Sequence, residues 1–96
     1  MSDEMKARIV IHYCNRCGWQ LRAAWLAQEI LTTFEQQIEE VALRPGDNGV
    51  FEIWAGEVLI WERKRDNGFP DAKTLKLRLR DEVFTEVSLG KHLESH

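Results

Sequence analysis

The sequence has little of several features that would settle its class at once. It has only two cysteines, two prolines and one tyrosine in 96 residues, and no apolar run approaches the roughly 20 residues of a membrane helix. Its 13 basic and 16 acidic residues leave a net charge of −3, which gives no electrostatic basis for binding nucleic acid or an anionic membrane. Residues 1–6 carry no apolar segment of a secretion signal. We therefore expect a single globular domain in the cytoplasm, whose cysteines are functional rather than structural.

Hydrophobic periodicity predicts four strands and two helices. The predicted strands cover residues 7–13, 38–43, 50–54 and 57–62, and the predicted helices cover residues 18–37 and 70–83. A strand, a long helix and a strand form a βαβ unit, whose two strands run parallel. The last two strands are separated only by Ala55 and Gly56, which predicts a hairpin. The order β-α-β-β-β-α therefore predicts an α/β (two-layer α+β) domain with a four-stranded mixed sheet, which is a minimal thioredoxin-like arrangement.

Further expectations concern the packing. Apolar residues on both faces of the first strand predict a central strand covered on both sides. In the first helix Leu21, Trp25 and Leu31 widen the apolar stripe, which predicts a heavily buried helix. Residues 44–49 are dense in turn formers and should break the chain. The basic residues expected to form the solvated face of the second helix are Lys73, Lys76, Arg78 and Arg80. We expect one domain over residues 1–84 and a polar C-terminal tail over 85–96, frayed from residue 88.

The two cysteines form a C-x-x-C sequence, Cys14 and Cys17, between the first strand and the first helix. A helix start offers N–H groups without partners and the positive end of the helix dipole, and both favour a thiolate over a thiol. The spacing also lets the two sulfurs close a small disulfide. A dithiol at this junction predicts a thiol redox site. We expect Cys14 in the loop after the strand, Cys17 at or within the first helical turn, and one thiol pKa below the usual value of about 8.5.

Three neighbours of the dithiol are candidates for tuning its reactivity or docking a partner. His12 lies on the strand just before Cys14, and its simpler interpretation is a residue on the second face of that strand. Arg16, between the cysteines, could lower a thiol pKa through its charge or could merely be solvated. Trp19 could help to form a docking surface, although packing in the core is the simpler expectation. The sequence predicts no cofactor.

A second hypothesis is a binding module whose dithiol senses redox state or holds copper or zinc without turnover. A tetrahedral zinc site needs two more ligands than the cysteines supply, and the histidines are His12 on the first strand and His92 and His96 in the tail. Copper-chaperone domains also place C-x-x-C between a first strand and a first helix. They usually carry methionine at the position of His12, and they need a final strand that only residues 86–89 could supply. We therefore favour the redox hypothesis and predict no metal site.

Three stretches of the chain resemble the selenoprotein W-like, or Rdx, group of the selenoprotein W/T/H family. The first is the run I-x-Y-C-x-x-C-G-W that ends at Trp19. The second joins Arg44-Pro45-Gly46 to Gly49-Val50-Phe51, and the third joins Trp61-Glu62-Arg63-Lys64 to Gly68-Phe69-Pro70-Asp71-Ala72-Lys73. The resemblance covers residues 7–84. It implies a thioredoxin-like fold and a thiol redox role without a defined substrate, and it suggests that the loop of Phe69 and Pro70 lies near the dithiol.

Two arguments disagree about which cysteine attacks. In thioredoxin-like sites the first cysteine, here Cys14, is the exposed attacker and the second resolves the mixed disulfide. Some members of the resembled group carry selenocysteine at the second position, which is Cys17 here, and this points to the second residue. We favour Cys14 in this all-sulfur form. With either assignment, the expected function is a small cytosolic thiol–disulfide oxidoreductase that acts on a protein or glutathione disulfide.

Overall fold

The fold is described for residues 6–90, from a computed structural model. The elements in chain order are β1 (Ala7–Cys14), α1 (Gln20–Thr33), β2 (Ile38–Gly46), β3 (Phe51–Ala55), β4 (Val58–Glu62) and α2 (Ala72–Glu82). They form one sheet of order β2-β1-β3-β4, in which β1 and β2 are parallel and the other pairs antiparallel. The predicted α+β fold with a four-stranded mixed sheet is confirmed. No helix within residues 6–90 has the length and apolar character needed to cross a membrane.

Both helices pack on the same face of the sheet. Ile9 and Ile11 of β1 are fully buried beneath them, in a core that also contains Ile53 of β3. The expectation that β1 is covered on both faces is wrong. Val10 and His12, which alternate onto the other face, are only half-buried, because α1 and α2 pack against each other and leave that face without a layer.

The outer surface of α1 is apolar and solvent-exposed, which corrects the expectation of a heavily buried helix. Leu21, Trp25 and Leu31 are 81%, 44% and 41% exposed. The helix contacts the sheet through a single stripe that includes Leu26 and Ile30, both fully buried. A helix against one sheet face buries one such stripe, and among the described residues no third layer covers the opposite side of α1.

Several boundaries differ from the predicted ones for reasons of tertiary context. Strand β2 continues through Pro45 to Gly46. Proline is tolerated there because β2 is an edge strand, which pairs with a neighbour on one side only and therefore does not need every backbone N–H for pairing. The predicted chain break at residues 44–49 is therefore confined to 47–49. The hairpin turn lies one residue later than predicted, with Gly56 at its first position at a φ of 59°.

Strand β4 does not alternate as its sequence indicates. The register between β3 and β4 shifts between Ile53 and Trp54, and this irregularity lets both Ile60 and Trp61 lie buried. The indole N–H of Trp61 donates to Gly68 O at 2.8 Å.

Two expectations about the C-terminal third of the chain are also wrong. Lys76 is 4% exposed rather than solvated, because its Nζ lies 2.9 Å from Glu29 Oε1 between the two helices. Arg78 lies over the ring of Trp61 and donates to Ile60 O at 3.0 Å. Leu89, expected in a frayed tail, is buried in the core. The rest of that predicted tail, residues 91–96, with His92 and His96, lies outside the described residues.

The one-sided packing of α1 predicts unequal costs for two leucine truncations in the same helix. Leu26→Ala should lower the free energy of unfolding by about 3 kcal/mol, because it removes a fully buried side chain and leaves a cavity. Leu21→Ala should change it by no more than about 0.5 kcal/mol, because that side chain is exposed. Denaturant titration of both variants measures the difference. Equal costs would mean that the outer face of α1 is covered in solution.

Candidate redox site

The end of β1 places the dithiol. Cys14 is the last residue of β1, where its N–H donates to Val50 O at 2.8 Å, and the N–H of Asn15 donates to Gly46 O at 2.9 Å. The chain then turns, and Cys17 lies in this turn before α1 begins at Gln20. Cys14 is thus in the strand rather than after it, and Cys17 precedes the helix rather than lying in its first turn. Both shifts are within three residues of the predicted positions.

The two free thiols differ sharply in exposure. Cys14 is 1% exposed, whereas Cys17 is open to solvent. The expectation that Cys14 is the exposed thiol is therefore wrong. The physical reason is its position on the central strand, where β2 pairs with it on one side and Val50 on the other.

The two thiols are coupled, so that the state of each one shifts the pKa of the other. The pKa of Cys14 is lowered, chiefly because the Cys17 thiol donates to its sulfur, with further help from the backbone N–H groups of Gly49, Cys17 and Arg16. The pKa of Cys17 is raised, because the same hydrogen bond, burial and repulsion from the Cys14 thiolate all disfavour its charged form. The pair therefore takes its first negative charge more readily than an isolated thiol and its second less readily.

The groups that stabilise this charge are not the expected ones. Helix α1 starts too late to direct its first N–H groups at the sulfurs, and the N–H donors come instead from the turn and from Gly49 in the β2–β3 loop. Gly49 has a φ of 74°, and its carbonyl accepts a hydrogen bond from Arg63 Nε at 3.2 Å. The charge of Arg63 also acts on Cys17 and lowers its pKa. Neither Gly49 nor Arg63 was predicted as a site residue, although both lie in the stretches that carry the family resemblance.

The side chains of two predicted neighbours, His12 and Arg16, lie next to carboxylates rather than next to the cysteine sulfurs. His12 Nδ1 lies 3.7 Å from Glu52 Oε1, and the imidazole shifts the pKa of neither cysteine. The exposed guanidinium of Arg16 lies 3.6 Å from Asp47 Oδ1. Arg16 acts on Cys14 through its backbone N–H, so its position in the turn matters more than its charge.

A layer of aromatic rings lies directly after the dithiol. Trp19 is half-buried, and its ring meets the ring of Phe69 edge-on at 4.8 Å and that of Phe51 at 6.3 Å. Phe69 therefore lies against the residue two positions after Cys17, as the family resemblance suggested for this loop, and Pro70 is buried beside it. Two guanidinium groups cover these rings: Arg63 lies 5.2 Å from the Trp19 ring and Arg22 lies 4.1 Å from the Phe69 ring.

The described surface cavities are remote from the dithiol. Two of them, of about 520 and 410 Å³, are lined by residues such as Gln37 and Phe84 near the first residue of β1, the opposite end from Cys14. Within residues 6–90, no group of three or more His, Cys, Asp or Glu side chains is placed to hold a metal ion. Residues 86–89, which a copper-chaperone fold would need as a strand, do not form one.

Comparisons with known proteins agree with this architecture. Residues 8–81 match the sequence profile described as the Rdx family. The bovine (Bos taurus) protein "Migration and invasion enhancer 1" is 33% identical over 89 residues, which are 91% of this chain and 70% of that protein. The crystal structure of a selenoprotein W-related protein from Vibrio cholerae is 57% identical, with a TM-score of 0.78 over 80% of this chain and 96% of that one. A crystal structure from Bordetella parapertussis is 52% identical, with a TM-score of 0.79 over 82% and 100% of the two chains.

The matched region contains the sheet, both cysteines, the Gly49 loop, Arg63 and nearly all of α2. Its likeness to selenoprotein W-related proteins indicates a redox-related role. The chain belongs to the Rdx family.

Proposed function

We propose that this protein is a thiol–disulfide oxidoreductase in which Cys17 attacks the substrate and Cys14 resolves the mixed disulfide. The observation that carries the proposal is the contrast between an exposed cysteine, Cys17, and a buried one, Cys14, whose pKa is lowered. The substrates are disulfides of proteins or of glutathione. The proposed location is the cytoplasm, because a dithiol reductant needs a reducing thiol pool to restore it.

The hydrogen bond between the sulfurs supplies the proton transfer that the attack requires. As the Cys17 sulfur bonds to one sulfur of the substrate, its proton passes to the Cys14 thiolate. The substrate S–S bond breaks, and the substrate sulfur that was not attacked leaves as a thiolate. That thiolate, or water, takes the proton from Cys14, whose sulfur then attacks the Cys17 sulfur and releases the second substrate thiolate. Two electrons and one proton leave the protein, the second substrate thiolate takes its proton from water, and the Cys14–Cys17 disulfide remains.

Access to the sulfur decides between the two possible attackers. A substrate disulfide must approach the attacking sulfur along its own S–S axis, and Cys14, a residue that is 1% exposed, offers no such path. The low pKa of Cys14 suits a base and a resolving nucleophile, because both act inside the protein. This assignment reverses the preference for Cys14 that came from thioredoxin-like sites, and it agrees with the selenocysteine position of the resembled group.

Trapping of the mixed disulfide tests the assignment. With the neutral reagent bis(2-hydroxyethyl) disulfide, Cys14→Ser should accumulate a mixed disulfide at Cys17, because the resolving sulfur is gone. Cys17→Ser should react at least about tenfold more slowly, because its remaining cysteine, Cys14, is buried. Mass spectrometry measures both. Faster capture by Cys17→Ser would make Cys14 the attacker, and no capture by either variant would favour a non-catalytic binding module.

The opposite pKa shifts of Cys14 and Cys17 predict a two-step titration. In the reduced wild-type protein, ultraviolet thiolate absorbance should rise in one step below about 8.5 and a second step above it, because the first charge is stabilised and the second is repelled. Cys14→Ser should show a single step below the second wild-type step, because the thiolate that repels the charge of Cys17 is absent. Two overlapping steps at the free-thiol value would contradict the coupling.

Gly49 provides a separate test of the loop that covers the sulfurs. Gly49→Ala should raise the first pKa of the pair and slow alkylation at neutral pH. An alanine is strained at a φ of 74°, and we expect the backbone to relieve this strain by moving the N–H away from the sulfurs. Gly56→Ala is the matched control, since Gly56 also has a positive φ but lies in the distant hairpin with open space around it. An equal change in both variants would refute the role of Gly49.

A further inference from the structure

We propose that Arg22 and Arg63 make this site selective for disulfides that carry a carboxylate close to the sulfur. This inference rests on the proposed function and names the substrate class of the same site. The two guanidinium groups flank the aromatic layer that begins two residues after the exposed Cys17.

Within residues 6–90, these two arginines differ from most others in forming no ion pair, although the charge of Arg63 also lowers the pKa of the neighbouring Glu62. Within residues 6–90, five arginines form ion pairs with Asp or Glu side chains, and they are Arg8, Arg16, Arg65, Arg78 and Arg80. Arg22 and Arg63 form none with any described residue. Their charge is therefore available to a ligand. Asp47, an acidic residue beside the turn, lies 3.6 Å from Arg16 Nε.

Both guanidinium groups are held in place without being neutralised. Arg63 lies over the Trp19 ring and is fixed by the hydrogen bond from its Nε to Gly49 O, which leaves its terminal nitrogens without an acceptor among the described residues. Arg22 lies over the ring of Phe69 at 4.1 Å. Stacking on an aromatic face reduces the entropy that an arginine loses on binding, and a planar guanidinium matches the two oxygens of a carboxylate.

The net negative charge of the protein opposes the proposed selectivity for anionic disulfides. With a net charge of −3, the protein as a whole should repel an anionic disulfide. A faster reaction with an anionic disulfide than with a neutral one therefore requires local positive charge at the dithiol. Arg63 already acts at this range, because its charge lowers the pKa of Cys17.

The test compares three small disulfides that differ in charge. These are anionic 3,3′-dithiodipropionate, neutral bis(2-hydroxyethyl) disulfide and cationic cystamine. The rate of oxidation of the reduced protein by each is divided by the rate of the same disulfide with dithiothreitol, which removes intrinsic reactivity. The wild-type order should be anionic, then neutral, then cationic. The ratio of the anionic to the neutral rate should fall about threefold in Arg22→Gln and in Arg63→Gln, as expected for one exposed ion pair, and should fall with added salt.

The variants separate recognition from reactivity. Arg63→Gln should also slow the neutral disulfide, because it removes a charge that lowers the pKa of Cys17, whereas Arg22 is not among the main causes of the pKa shift of either cysteine. The matched control is Arg8→Gln, which removes the same charge at the other end of β1, about 20 Å from Cys14 by strand rise. Its rate ratio should equal that of the wild type.

The source of the carboxylate is resolved by two further substrates. Oxidised glutathione carries its carboxylates on a small molecule, and a disulfide-linked peptide with Asp beside its Cys carries one on a polypeptide. Each is compared with its neutral counterpart, glutathione diethyl ester disulfide or the Asn peptide. The source is the substrate whose charged-to-neutral rate ratio falls more in Arg22→Gln and Arg63→Gln.

The outcomes distinguish this inference from the proposed function. If wild type oxidises with none of the disulfides, the oxidoreductase assignment fails. If all three disulfides react but the anionic-to-neutral ratio is unchanged in Arg22→Gln and Arg63→Gln, or falls equally in Arg8→Gln, only the carboxylate selectivity is overturned. A ratio that falls in the two site variants alone supports it.

Discussion

The site depends on how the end of β1 is held between its two neighbours. Cys14 pairs with Gly46 of β2 in parallel register, and its N–H donates to Val50 O on the other side. Because β2 and β3 flank the same strand, the short loop that joins them must cross the end of β1. That crossing buries the Cys14 sulfur and brings the N–H of Gly49 to both sulfurs. The burial and the charge stabilisation of the dithiol therefore share one topological cause.

Burial and a lowered pKa would normally oppose each other at a cysteine, because burial disfavours the charged form. At Cys14 the hydrogen bonds outweigh burial, and the largest contribution comes from the Cys17 thiol itself. The exposed cysteine thus stabilises the charge of the buried one. On the proposed mechanism, the same bond carries the proton away when Cys17 attacks, so one contact determines the resting charge and the direction of the reaction.

The fold was predictable because its strongest signals are periodic and local. The stripe through Leu26 and Ile30 defines α1, and the C-x-x-C sequence located the dithiol within three residues. The predictions that were wrong depend on contacts with residues distant in sequence, which local patterns do not contain. The apolar side chain of Leu21 does not indicate whether a second layer covers that side of α1. Pro45 is tolerated in β2 only because β2 is an edge strand. The burial of Cys14 belongs to the same class, since strands distant in sequence produce it.

Arg63 was the hardest site residue to identify from the sequence, because it belongs to a run of three basic residues after β4 and only the folded chain brings it to Gly49. Its position has a consequence for the proposed selectivity. The charge that would attract a carboxylate is the same charge that lowers the pKa of Cys17, so a carboxylate bound to Arg63 weakens the stabilisation of the negative charge that develops on Cys17 as it attacks. Arg22 carries no such conflict, because it is not among the main causes of the pKa shift of either cysteine. With two arginines, the site can bind part of an anionic ligand at Arg22 and so retain more of the effect of Arg63 on the charge that develops on Cys17.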